Sequence, residues 1–191
     1  MTIPDDGPER GSARLHAFAA EPPRERPDSP PASYGVPRRG GRFVEWSYVI
    51  DRLSSAEAYW LGTVTASGRP HIVPIWGAFV ENDLYLETGD PETVKNRNLA
   101  RNSRVVVHLD DVNDVVIVRG VAEVVRPSRD LGLALATAMH AKYRGYEPAP
   151  DSWDDGGMVR VEPDVILAWT DMPSATRWRF AAGPILEASR D

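Results

Sequence analysis

Apolar and polar positions begin to alternate at Phe43, and the pattern holds to Phe180. It predicts a short helix over Val49–Ala58 and a strand over Tyr59–Thr65. Ser67-Gly68 turns the chain into a long strand from His71 to Val80. Asn82-Asp83 reads as a two-residue hairpin connection into Leu84–Thr88. Asp90-Pro91-Glu92 has the form of a helix start, with Asp at the N-cap, Pro at the first helical position and an acid in the first turn; that helix is expected to reach Arg101. Two strands follow, Arg104–Leu109 and the valine-rich Asp114–Val125. Ser128 then caps a helix with Leu131, Leu135, Ala138 and Met139 on one face. A polar loop, Gly145–Gly156, leads to a last long strand, Met158–Thr170, where Pro163 marks a bulge or an edge.

Connections this short imply antiparallel pairing, because parallel strands need crossovers of a dozen or more residues. The expected fold is mainly β within the α+β class, a six-stranded antiparallel barrel with peripheral helices. Residues 1–42 differ in kind. They hold eight of the 17 prolines and almost no large apolar side chains, so a flexible Pro/Arg-rich tail is expected. The predicted organisation is a tail over 1–42, a barrel domain over 43–180 and a C-terminal tail over 181–191.

Composition narrows the function. Of 191 residues, 42% are hydrophobic and 26% charged, which is ordinary for a globular chain. No run approaches the roughly 20 apolar residues of a membrane span, and the N-terminus lacks an apolar signal core. A soluble, cytoplasmic protein is expected. The absence of cysteine excludes disulfides, thiolate nucleophiles and Cys-based metal sites. A formal charge of −6 argues against sequence-independent nucleic-acid binding. No phosphate-binding glycine loop, His-x-x-x-His pair or nucleophile elbow is present, and no metal site is predicted, so an enzyme of this sequence would rely on a cofactor.

Three segments carry candidate chemistry. The strand from His71 to Val80 is apolar on both faces, as in a strand buried in the barrel on one side and against a ligand, a second subunit or a covering helix on the other. Lys95 is one of only two lysines beside 20 arginines. With Asn98 on the same helix face and Arg97 adjacent, it suits an anionic group such as a phosphate, or a solvated basic face. Thr176-Arg177-Trp178-Arg179-Phe180 sets an indole between two guanidinium groups, suited to stacking on a planar ring or to plugging the barrel end. Trp153 is expected to be exposed, as a lid or a loop anchor. Tyr143, Tyr146 and His71 are candidate proton donors, with a structural role as the favoured reading of each, and no side chain is assigned acid–base work.

In order along the chain, these segments resemble the flavin/deazaflavin oxidoreductases, the pyridoxamine 5'-phosphate oxidase-like split β-barrels. The resemblance rests on Leu61-Gly62-Thr63-Val64, Ser67–Trp76, Thr88-Gly89, Val94–Leu99, Ser103–Val107, Asp114–Glu123 and Thr176–Phe180. Pro74-Ile75-Trp76 and a single lysine make the F420-dependent branch the most similar. The resemblance implies an FMN-binding split-barrel fold and a homodimer with cofactor grooves between subunits. It implies F420, or alternatively FMN, as cofactor, and hydride transfer to or from a small planar or unsaturated substrate. A non-catalytic flavin or haem carrier is the other reading. By the same resemblance, Lys95 and Asn98, with Arg97, would face the cofactor phosphate. His71, Val73, Pro74, Ile75, Trp76 and Thr88 would border the ring and the chain attached to it, and Trp178 and Arg179 would close the site.

Overall fold

The computed structural model describes residues 16–28 and 32–180. Nine strands and three α-helices follow one another as β1 (Arg24–Glu25), α1 (Trp46–Ser55), β2 (Tyr59–Val64), β3 (Pro70–Ile75), β4 (Gly77–Val80), β5 (Asp83–Glu87), α2 (Val94–Leu99), β6 (Arg104–His108), β7 (Val115–Val124), α3 (Arg129–Lys142), β8 (Met158–Trp169) and β9 (Thr176–Arg179). Every pairing is antiparallel, as the short connections require. The strand order is β1-β9-β8-β7-β6-β2-β3, and β5 joins β4 to the other half of β8. The expected six-stranded barrel is therefore corrected to a nine-stranded sheet that does not close by hydrogen bonds. β3 runs on into β4 only through the backbone of Trp76, and the ladder is interrupted there.

Local chemistry explains that interruption. β3 lies at the end of the sheet path, which suits Pro74, whose missing N–H a central strand would need. Gly77 then packs where a Cβ would lie 2.4 Å from the Tyr85 carbonyl oxygen and 2.8 Å from Leu86 Cδ2. No larger residue fits without displacing β5. The turn after β4 falls on Glu81-Asn82, with φ of 51° and 60°, one residue before the expected Asn82-Asp83. Asp83 is buried instead and accepts the N–H groups of His16 (3.2 Å) and Ala17 (2.8 Å). Pro163 sits at the predicted bulge, where the β7–β8 register shifts at Arg119/Gly120.

The main core gathers Val49 and Leu53 of α1 with Tyr59, Leu61, Leu84, Leu86, Val107, Val118, Val161 and Ile166 of the sheet. A second core joins Leu135 and Met139 of α3, with Tyr143 just after the helix, to Ala78, Tyr85, Met158 and Trp153. Trp153 is thus 2% exposed, not exposed as its polar loop suggested; it anchors that loop beneath α3. Ser128 caps α3 as expected, its hydroxyl accepting the Leu131 N–H.

Residues 16–28 and 32–42 depart from the reading of 1–42 as one flexible tail. Phe18 is 1% exposed in the main core, against Trp46, Phe79 and Phe180. β1 pairs with β9, and Glu25 and Asp28 bind Arg177 and Arg179. Arg26 donates to the carbonyls of Gly40, Arg42, Pro173 and Ala175, with its guanidinium 4.1 Å from the Phe43 ring centroid. This strap ties residues 16–28 to β9. The remainder of the expected N-terminal tail and the tail over 181–191 lie outside the described residues.

Candidate functional site

The interruption between β3 and β4 opens a cavity of about 390 Å³, walled by Pro74, Ile75 and Trp76 on one side and by Glu87, Thr88, Gly89, Asp90 and Lys95 on the other. Trp76 is 47% exposed although it stacks on Tyr143 (centroids 4.6 Å apart, planes 13° apart) and leans on Tyr146 at 5.1 Å. Its indole is held in place while one part of it remains open to the cavity.

The opposite wall is a fixed turn. Thr88 and Gly89 donate to the Gly157 carbonyl at 2.7 and 3.3 Å. Asn96 Nδ2 reaches the carbonyls of Thr88, Gly89 and Asp90 at 3.2, 3.1 and 2.7 Å. Asp90 does not cap α2; its carboxylate accepts the Glu92 N–H at 2.7 Å, and the helix starts four residues later at Val94. The turn and α2 together set Lys95 on the cavity wall. Tyr146 donates to Glu87 Oε1 at 2.5 Å, and burial, reinforced by that hydrogen bond, pushes the phenol well above its ordinary value.

Five of the residues expected from the sequence therefore meet in one cavity: Pro74, Ile75, Trp76, Thr88 and Lys95. The other six lie outside its wall. His71 and Val73 are half-buried on β3, paired with Thr63 and Leu61. Asn98 is buried and donates to the Thr63 hydroxyl at 3.0 Å, and Arg97 donates to the Glu92 carbonyl. Trp178 is fully buried in the main core, its indole N–H 3.2 Å from Glu21 Oε1, and Arg179 is engaged by Glu25 and Asp28. Sequence reasoning missed Asn96 and Glu87 and the stacking of Tyr143 on Trp76. Asn96 stands inside the motif that marked Lys95, so only its carbonyl partners were hidden. The others are contacts between segments 59 to 67 residues apart and leave no local signal.

Beside the cavity the β3 face stays apolar and open: Ile72 is 51% exposed, and Pro74, on the cavity wall, is also exposed. The expectation that both faces of this strand are buried is not met within one chain. Among the described residues no helix is long and apolar enough to cross a membrane, and no cluster of metal-ligating side chains is found.

Comparison with known proteins agrees with this architecture. No curated protein matches the sequence. Among solved structures, a conserved hypothetical protein from Mycobacterium tuberculosis is 24% identical with a TM-score of 0.56, covering 70% of this chain and 89% of its own. A putative 5-nitroimidazole antibiotic resistance protein from Bacteroides thetaiotaomicron is 16% identical with a TM-score of 0.52, covering 73% and 89%. A heme binding protein from Mycobacterium smegmatis is 17% identical with a TM-score of 0.53, covering 70% and 56%. At these identities the likeness is one of fold. The sequence model described as pyridoxamine 5'-phosphate oxidase matches residues 49–170, well over half of the chain and the whole of the cavity wall, and the chain belongs to that family.

Proposed function

We propose that the cavity binds the deazaflavin F420 and that the protein is an oxidoreductase moving a hydride between reduced F420 and a small planar or unsaturated substrate. The observation that carries this reading is the convergence on one cavity of Lys95, a cation for the phosphate-bearing chain, and Trp76, a rigid aromatic wall for the ring, with Thr88 lining the wall between the strands and α2. The residue types fit such a group: one positive side chain, one flat apolar surface and a hydrogen-bonded turn, in a groove open enough to admit a ring. The bound ring supplies the hydride chemistry; the chain's residues bind, orient and exclude water. Pro74-Ile75-Trp76 and the single lysine of the cavity support F420 over FMN through their resemblance to the F420-dependent branch. The open apolar face of Ile72 and Pro74 beside the cavity supports a homodimer with this groove at its interface.

Fluorescence titration of F420 and of FMN into the purified protein tests the reading, with Lys95→Ala alongside. F420 is expected to bind more tightly than FMN. Loss of one charge-assisted contact, worth about 1.5–3 kcal/mol, is expected to weaken binding on the order of 10- to 100-fold. Preference for FMN would assign the other cofactor; binding of neither would sink the proposal. Tight binding without hydride transfer over a panel of acceptors would identify a carrier.

A further inference from the structure

A second cavity, of about 360 Å³, lies between the C-terminal turn of α1, β4 and the last turns of α3. It shares no wall residue with the first. Ala78, Phe79, Ala138 and Ala141 form the apolar part of its wall, Ser54, Ser55 and exposed Glu57 the polar part, and the one cation on the wall is Lys142. This is the other of the chain's two lysines.

Lys142 is held with unusual care for a lysine. Its Nζ donates to the Tyr59 hydroxyl at 3.1 Å and to the Gly77 carbonyl at 3.0 Å, and sits 4.3 Å from the Tyr59 ring centroid and 5.4 Å from that of Tyr143. Tyr59 itself donates to the Leu53 carbonyl at 2.7 Å, so its oxygen is oriented to accept. Two of the three ammonium N–H groups are thereby fixed. No carboxylate pairs with Nζ among the described residues. Burial without an ion pair disfavours the charged form and lowers the group to about 8. On the order of a quarter of the amine is then neutral at pH 7.5, against about a thousandth for an ordinary lysine.

We propose that this cavity is a binding site for a small uncharged aldehyde or ketone, held on Lys142 as an imine. The neutral amine's lone pair attacks the carbonyl carbon to give a carbinolamine; loss of its hydroxyl, protonated by water, leaves the imine and one water molecule. No oxidant or reductant is needed. The wall selects against carbonyl compounds that carry a carboxylate, because Glu57 and the negative carboxy-terminal ends of α1 and α3 surround the site. The other titratable groups facing Nζ are Tyr59 from β2 and Tyr143 just after α3, both pushed upward by burial and uncharged at neutral pH. β4 contributes only Ala78, Phe79 and the Gly77 backbone, and Ser54 and Ser55 of α1 donate to their own helix carbonyls.

The test is reductive trapping with cyanoborohydride on the full chain, using butyraldehyde and, in parallel, glyoxylate, with alkylated lysines located by peptide mass mapping. Alkylation by butyraldehyde at pH 7.5 is expected at least tenfold faster at Lys142 than at Lys95, and faster than that by glyoxylate at the same position. The Lys142 rate is expected to rise with pH and level off above about 8. Equal labelling of the two lysines, or labelling confined to Lys95, overturns the proposal. Ala138→Leu, which narrows the cavity without touching Nζ, is expected to reduce Lys142 labelling at least fivefold in protein with an unchanged circular-dichroism spectrum. Undiminished labelling of that folded variant would remove the cavity from the proposal.

Discussion

Gly77 stands between Trp76 on the wall of the first cavity and Ala78 on the wall of the second. Its carbonyl receives the Tyr143 hydroxyl and the Lys142 ammonium, its N–H donates to the Tyr143 hydroxyl at 2.9 Å, and it follows the indole that walls the first cavity. A methyl group here would meet the Tyr85 carbonyl oxygen at 2.4 Å. Overpacking of this kind costs typically about 1–3 kcal/mol. Gly77→Ala is therefore expected to lower the urea midpoint and, by displacing the β3–β4 junction, to weaken cofactor binding as well. Binding unchanged in a destabilised variant would show that Trp76 is positioned by Tyr143 alone. Lys142 carries a further sign of its own: a folded value below the unfolded one means that the unfolded chain holds more protons between about pH 8 and 10.5, so its contribution to stability rises across that window.

The strap, β1 and the residues around it, is the element whose stability responds to acid. Glu25 is held below the usual carboxylate range, chiefly by its hydrogen bond to Arg179, and Asp28 chiefly by Arg177. A folded value below the unfolded one gives stability that is complete above the unfolded value near 4 and is lost as pH falls through the folded value. Protection of the β9 amides against hydrogen exchange is expected to fall below about pH 4 while that of β7 and β8 persists. Glu25→Gln is expected to shift the loss to higher pH. Uniform loss of protection over the whole sheet would contradict an independently opening strap. The strap was also the element least legible in the sequence, because a proline-rich stretch reads as one that cannot bury itself. A single Phe18 and the carbonyl contacts of Arg26, drawn from segments far along the chain, change that outcome. Elements signalled within a few residues, such as the Ser128-capped helix and the β2–β3 hairpin, were readable; the burial of Trp153 and the convergence on Gly77 were not.

For the whole molecule, the open question put by the fold is what covers the apolar face of β3. Roughly half of the Ile72 and Trp76 side-chain surface faces outward beside the cavity. A charged group placed at Ile72 would have to be desolvated in any interface formed there, at a cost of several kcal/mol. The unmodified protein is expected to sediment as a dimer in analytical ultracentrifugation and Ile72→Glu as a folded monomer, with weakened cofactor binding if the groove is shared. A wild-type monomer would place the covering surface elsewhere. Within one chain the cavity wall draws on Ala58 and on segments from Pro74 to Lys95, and its main residues were readable as a group because they are close in sequence.

The strap also sets an order of assembly. Its ion pair between Glu25 and Arg177 joins residues 152 positions apart, and Phe18 reaches the core beside Phe180. During synthesis residues 16–28 thus find their places only late, since β9 must emerge before they can dock. Closing so large a loop is entropically slow and brings its reward only at the end. Until then Trp46 and Phe79 lack the cover that Phe18 gives them, and a nascent chain stalled before Thr176 presents both rings to chaperones.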